Sequence, residues 1–195
     1  MKEKLRCGET HYGDSPYRSD VHGILLHGRR GRLLSVLYTA GGEGLHPAVL
    51  LLHGIPGCEK NIDLAQDLRR AGFHVLMFHY SGSWGSDGDY SLANDLEDAH
   101  TVLDFILQSE TYGIDKSRVY AVGHSLGGFV CGQLTAARQE ISAAVLLMPC
   151  DIGRMPKIAQ EDPVAFRAIR KELEESGGWL NGTSGEALWQ EARAH

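Results

Sequence analysis

The stretch from Val119 to Val130 limits most strongly what this chain can fold into. Val119-Tyr120-Ala121-Val122 is an apolar run of strand type that leads straight into Gly123-His124-Ser125-Leu126-Gly127, and a helical pattern leaves through Gly128, Phe129 and Val130. A serine on so tight a strand-to-helix turn takes a strained backbone, and the residues two positions to either side must lack side chains to avoid a clash. Gly123 and Gly127 meet that need. Ser125 is then lifted clear of the sheet, and the first turn of the next helix offers free N–H groups and a positive dipole end to developing negative charge. A glycine-rich turn can also merely join a strand to a helix. The strand before and the helix after favour the catalytic reading.

The rest of the chain supplies a setting for that turn. His22–Gly28 and Arg32–Tyr38 read as two strands joined around Gly28-Arg29-Arg30-Gly31, a hairpin signal. Pro47–His53 is a continuous apolar run, as expected of a strand buried on both faces of a parallel sheet. Gly54-Ile55-Pro56-Gly57 breaks it, Asn61 is placed to cap a helix through Leu64, Ala65, Leu68 and Ala71, and Gly72 ends that helix. Phe73–Tyr80 reads as a fourth strand, and Ser81–Asp89 as a loop in which Asp87 and Asp89 are solvated turn acids. Ser91 caps the longest helix, with Leu92, Leu96, Ala99, Leu103 and Ile106 on one face and Asp95, Glu97 and Asp98 near its favourable N-terminus. The elbow strand and helix follow, then Ala143–Met148 as one more buried strand. The alternation implies a mostly parallel sheet with helices on both faces and an antiparallel hairpin at its N-terminal edge. Beyond Pro149, Asp162-Pro163 opens an amphipathic helix ended by Gly177-Gly178, and Thr183 with Glu186 reads as a capping box for a last helix. The expected organisation is an arm over 1–20, a core over 21–150, and a helical lid-like segment over 151–195, the start of an insertion.

Composition removes several classes of function. A net charge of −6 with no basic cluster larger than Arg29-Arg30 or Arg69-Arg70 argues against nucleic-acid binding. No run is long enough for a membrane span, and no apolar segment follows the basic N-terminus, so no signal peptide is expected. Cys7, Cys58, Cys131 and Cys150 are scattered without metal-binding spacing, which points to free thiols, no metal, no cofactor, and a reducing cytoplasm.

Three segments together resemble the α/β-hydrolase superfamily, in the branch of serine peptidases and small esterases: His53-Gly54-Ile55-Pro56-Gly57, Ser81-Gly82-Ser83-Trp84-Gly85-Ser86-Asp87-Gly88, and Gly123-His124-Ser125-Leu126-Gly127-Gly128. The resemblance covers roughly residues 20 to 190 and implies a three-layer αβα fold with its site at the C-terminal ends of the parallel strands. It makes Gly123-x-Ser125-x-Gly127 a nucleophile elbow and Ser125 the residue acylated by an ester, thioester or amide. The oxyanion hole would be built from the Leu126 N–H and an N–H of the turn after the third strand, at Ile55. His53 would support that turn, the Trp84 loop would shape the pocket wall, His124 would point away from Ser125, and Tyr80 and Trp84 would pack.

The resemblance also implies an acid and a histidine after the nucleophile, in that order. The only histidine after Ser125 in this sequence is the terminal His195, on a helix rather than a loop after a late strand, so the triad acid and histidine are expected beyond residue 195. Asp151 is a possible acid, with a helix cap or solvated turn as its favoured role. The last strands that the resemblance implies are not found, so the chain is expected to be incomplete at its C-terminus, with an exposed sheet edge open to oligomer formation. Two functions stay open. One is a serine hydrolase acting on a small acyl substrate or short peptide; the other is a catalytically inactive hydrolase-like binding domain or gene remnant.

Overall fold

The computed structural model describes residues 19–58 and 61–194. Its sheet runs in the order β1-β2-β4-β3-β5-β6. The strands are β1 (Asp20–Gly28), β2 (Gly31–Thr39), β3 (His46–Leu52), β4 (His74–Phe78), β5 (Ile114–His124) and β6 (Ile141–Leu147). β1 and β2 form an antiparallel hairpin, β2 meets β4 antiparallel, and β4, β3, β5 and β6 run parallel. The expected hairpin and parallel core are both observed. Most of the arm expected over 1–20 lies outside the described residues, although Asp20 already pairs with Thr39 in β1.

Alternation along the parallel strands divides the core. Leu50 and Leu52 of β3, Leu76 of β4, and Val119 and Ala121 of β5 face α2 (Leu92–Gln108) and α3 (Leu126–Ala137). Val49, Leu51, Val75 and Val122 face the other way, against Ala65 of α1 (Ile62–Arg70). Because β3 is covered on both faces, Ala48 to Leu52 are all buried. Burying each such aliphatic side chain stabilises the fold by roughly 1.5–3 kcal/mol.

The helix ends differ from expectation in two places. Ser91 caps α2 as its side chain accepts the Asn94 N–H, but Asn61 makes no side-chain cap and instead sits in the left-handed region at φ 47°. Asparagine tolerates that conformation better than most residues. The Thr183–Glu186 capping box does not form. Ser184 accepts the Ala187 N–H at 3.1 Å at the start of α6 (Gly185–Ala194), while Glu186 pairs with Arg170. A 3-10 turn (Ile152–Arg154) and α4 (Met155–Glu161) precede α5 (Pro163–Gly177), and neither has the periodicity that marks longer helices.

One other reading changes. β6 is not buried: it is the edge strand, with Val145 52 % and Leu146 43 % exposed. Asp95 and Asp98 lie near the N-terminus of α2, as expected, but are buried. Tyr90 Oη donates to Asp95 Oδ2 at 2.7 Å and the Ser81 N–H donates to Asp98 Oδ2 at 2.6 Å, which ties α2 to the loop after β4; burial raises the pKa of both carboxyls against the lowering effect of these bonds.

At the opposite end of the sheet His74 is fully buried between two backbone groups. Its Nδ1 accepts the Ala40 N–H at 2.9 Å and its Nε2–H donates to the Tyr112 carbonyl at 2.7 Å, so one neutral tautomer satisfies both. Burial lowers its pKa to about 4, against the opposing pull of the Tyr112 carbonyl. In the unfolded chain the ring titrates near its ordinary value of 6.5. The folded value is the lower one, so its contribution is fully present above pH 6.5 and is lost as pH falls towards 4. Urea unfolding at neutral and acid pH is expected to show about 3 kcal/mol of such loss, and a His74→Asn variant is expected to lack it.

Candidate active site

Ser125 lies between β5 and α3 with φ 55° and ψ −119°, a conformation that costs a non-glycine residue about 1–3 kcal/mol. Its peptide groups show what holds it there. The Ser125 N–H donates to the Leu147 carbonyl at 3.0 Å, and its own carbonyl accepts from the Gly128 and Cys150 N–H groups at 2.9 Å each. The end of β6 therefore grips the turn from both sides.

The neighbouring glycines are sterically required. A Cβ on Gly123 would lie 2.0 Å from the Gly127 carbonyl oxygen, and one on Gly127 would lie 2.2 Å from the Leu52 oxygen and 2.5 Å from that of His53. These contacts are with backbone, which cannot rotate aside. Gly54 lies so close across the strand ends that an added Cβ would come 3.1 Å from Ser125 Cβ.

The turn after β3 is braced rather than loose. His53 Nδ1–H donates to the Gly54 carbonyl at 2.7 Å, and Trp84 Nε1–H donates to the Pro56 carbonyl at 2.5 Å. A Cβ on Gly57, at φ 95°, would meet His53 and Trp84 at 2.7 and 2.8 Å. Trp84 thus braces the rim as well as packing, as expected, since its ring stacks on that of Trp179 with centroids 6.2 Å apart. Tyr80 is packed and fully buried, as expected.

The loop that carries Trp84 is anchored by Asp87, which is not a free turn acid. Its carboxylate takes Arg32 Nε at 2.8 Å, Arg32 Nη2 at 3.0 Å and the Arg32 N–H at 2.9 Å. The Arg32 side-chain bonds, followed by the backbone bond, hold the Asp87 carboxyl well below the usual range. Asp89 is exposed, as expected of a turn acid, and its backbone carbonyl accepts from Asn94 Nδ2 at 2.7 Å.

A cavity opens over Ser125 in two lobes. One, about 260 Å³, is bounded by the Gly54–Cys58 turn, His124, Ser125 and Glu172. The other, about 210 Å³, is bounded mainly by Ile55, Met155, Ile158, Ile169 and Leu173, with Cys150, Asp151, Ser125 and Glu172. Ile55 and Ser125 thus line both lobes, and Leu126 is the buried residue that follows. Asp151 lies beside Ser125, but its Oδ1 caps the 3-10 turn by accepting the Arg154 N–H at 3.1 Å. His124 lines the first lobe together with Ser125. Burial raises the Cys150 thiol to about 11, with Glu172 and Asp151 adding to the effect, so it stays protonated and is a poor nucleophile. Glu172 has no counterpart in the sequence reading. Its only signal was a charge inside the stretch from Ile169 to Leu173, where the apolar stripe of α5 turns to the cavity.

A larger apolar cavity of about 590 Å³ lies on the α1 face, bordered by Leu34, Val36, Ile62, Met77 and Trp84. Ser125 does not line it. Among the described residues no cluster of potential metal ligands is found, and no helix is long and apolar enough to cross a membrane.

A mostly parallel sheet with an antiparallel leading hairpin, and a strained serine at the C-terminal end of a central strand, define an α/β-hydrolase architecture. The family described as alpha/beta hydrolase fold matches residues 47–175, and the chain belongs to it. The chain is 32% identical over 139 residues to Lysophosphatidylserine lipase ABHD12 of Danio rerio, covering 69% of this chain and 32% of that one. It is 29% identical over 123 residues to the Gallus gallus protein of the same name, covering 60% of this chain and 31% of that one. The chain thus spans about a third of the length of these curated relatives. Among solved structures, alpha/beta hydrolase GrgF from Penicillium sp. sh18 superposes with a TM-score of 0.63 at 19% identity, covering 88% of this chain and 63% of that one. Est1E from Butyrivibrio proteoclasticus, with ferulic acid bound, gives 0.57 at 26% identity over 67% of this chain and 53% of that one.

The backbone contacts at Gly127 lead to a direct expectation. Gly127→Ala cannot be accommodated without separating α3 from the end of β3, and is expected to cost more than about 3 kcal/mol, the upper range of ordinary single substitutions. Gly132→Ala, a helical glycine whose added Cβ would lie 3.3 Å from a flexible Leu146 methyl, is expected to cost far less. Chemical denaturation of the two variants checks the contrast.

Proposed function

We propose that this chain carries the nucleophile and oxyanion pocket of a serine hydrolase that cleaves an ester, thioester or amide through an acyl-enzyme on Ser125. The observation that supports it most is the strained backbone of Ser125, held by β6 and left clear by Gly123 and Gly127 at the mouth of a cavity. Strain of that kind persists where the surroundings over-determine it, and it clusters at working sites. Family membership supports the reading at the level of fold and reaction class.

In this reading the turn is a nucleophile elbow. Ser125 Oγ attacks the acyl carbon, its proton passes to a base, and negative charge builds on the former carbonyl oxygen. The N–H groups of Ile55 and Leu126 receive that charge, each contributing about 3 kcal/mol of transition-state stabilisation. Collapse expels the alcohol, thiol or amine, and water then releases the acid. Asp151, occupied as a cap, is a weak candidate for the triad acid.

A second reading is a hydrolase-like domain that binds without turnover. It is favoured by the lining of the cavity: among the described residues that border it, the one histidine is His124, the chain neighbour of Ser125. A serine hydroxyl with no base is weakly nucleophilic.

Two measurements on the 195-residue chain separate the readings. A fluorophosphonate probe is expected to label Ser125 slowly, with labelling abolished in Ser125→Ala. Turnover of a short-chain aryl ester is expected to be low, within the roughly 10³–10⁴-fold over water that binding and an oxyanion hole supply, and to rise when imidazole is added as an external base. Labelling that persists in Ser125→Ala removes the nucleophile assignment. Neither labelling nor imidazole rescue of the unaltered chain leaves the binding domain.

A further inference from the structure

The two lobes over Ser125 differ in chemistry and meet at one charged side chain. The smaller lobe is walled by Ile55, Met155, Ile158, Ile169 and Leu173. At about 210 Å³ it has room for some six or seven groups the size of a water molecule, at about 30 Å³ each, which suits a short aliphatic acyl chain. The larger lobe is bounded by the Gly54–Cys58 turn and by His124, and a greater share of its surface is polar than in the smaller lobe. Glu172 borders both, so any compound that spans the lobes passes its carboxylate.

The charge around this junction has one sign. Asp151 adds a second carboxylate on the apolar lobe, and among the described residues lining the two lobes there is no lysine or arginine. Of the cations on the 3-10 turn, α4 and α5, Lys157 pairs with Glu161, Arg170 with Glu186 and Lys171 with Glu175, while Arg154 and Arg167 line neither lobe. Glu172 itself makes no ion pair or hydrogen bond with a described residue, and it is exposed on α5 at the mouth. A carboxylate beside a partly enclosed cavity repels an anion and attracts a cation, more strongly than in open water because less solvent lies between them.

We infer that Glu172 sets the charge class of the ligand: the cavity takes a short aliphatic acyl group joined to a neutral or cationic partner, and rejects partners that carry a phosphate or carboxylate. The assignment of acyl and leaving-group lobes rests on Ser125 as nucleophile. The charge preference rests on the cavity alone, which allows the two to be tested apart.

The test uses the 195-residue chain carrying Ser125→Ala, so that binding is read without turnover. Three butyrate esters are titrated by saturation-transfer NMR: butyrylcholine, its neutral carbon isostere the dimethylbutyl ester, and anionic O-butyryl glycolate. Butyrylcholine is expected to bind about tenfold more tightly than the glycolate ester, a difference of about 1.4 kcal/mol, with the neutral ester between them. Adding Glu172→Gln is expected to bring all three within about twofold, Glu172→Lys to reverse the order, and raised salt to narrow the gap in the parent. Glu172 is exposed, so thermal unfolding of both variants is expected to match the parent. Equal or tighter binding of the anionic ester to the parent, an unchanged preference in Glu172→Gln, or no binding of any ester overturns the inference. If the charge order holds while Ser125 in the unaltered chain resists a neutral fluorophosphonate, the nucleophile reading falls and the charge-selective cavity stands.

Discussion

The rest of the site depends on how closely the backbone of α3 approaches the end of β3. With the Leu52 and His53 carbonyls lying where a Gly127 side chain would begin, helix and strand meet peptide to peptide. That contact aligns the first turn of α3 behind Ser125 and brings Gly54 across from it. Gly123, packed against the Gly127 carbonyl, closes the turn from the other side. Without these glycines the helix would stand off from the sheet, and Ser125 and Ile55 would no longer open on one cavity.

The loops that frame the cavity are fixed by polar anchors of two kinds. Exposed Asp87 is held in three bonds by Arg32, a geometry in which one guanidinium and its own backbone N–H share a carboxylate. Buried Asp98 takes the Ser81 N–H, and buried Asp95 takes the Tyr90 hydroxyl. The first kind is screened by water and sets direction more than stability. The second is costly to leave unpaired, so it ties the loop after β4 firmly to α2. Trp84 carries that rigidity to the Pro56 carbonyl, so that the turn after β3 is buttressed by a loop from the neighbouring strand.

Much of the fold was legible in the residues because its signals are local or periodic. The two-residue hairpin turn, the doubly apolar β3, the Ser91 cap and the stripe of α2 each carry their reason within a few positions. Where the reading failed, the deciding partner was distant in sequence. Asp87 looked solvated because Arg32 lies 55 positions away, and Asp95 and Asp98 looked like favourable helix-terminal charges because nothing nearby shows the loop that buries them. Helix α4 was too short to display a period, and β6 looked buried because its residues are apolar, although no strand lies beyond it in the sheet. At the site, the steric argument for Gly123 and Gly127 could be made from spacing alone, since it concerns neighbours on one turn. Glu172 could not be found that way, because only the packing of α5 over the strand ends brings it to the cavity.

The grip of β6 on Ser125 has a dynamic meaning. β6 is bonded to β5 on one side only, and its outward residues are half exposed, so it belongs to the part of the sheet that opens at least cost. Yet the Leu147 carbonyl and the Cys150 N–H are the groups that keep the Ser125 peptide in its left-handed conformation. Without them the Ser125 peptide would keep, among the described residues, only its bonds to the first turn of α3, from the Gly128 and Phe129 N–H groups. The conformation of Ser125 is therefore coupled to a strand paired on one side only, so a contact made at that edge is felt at the serine.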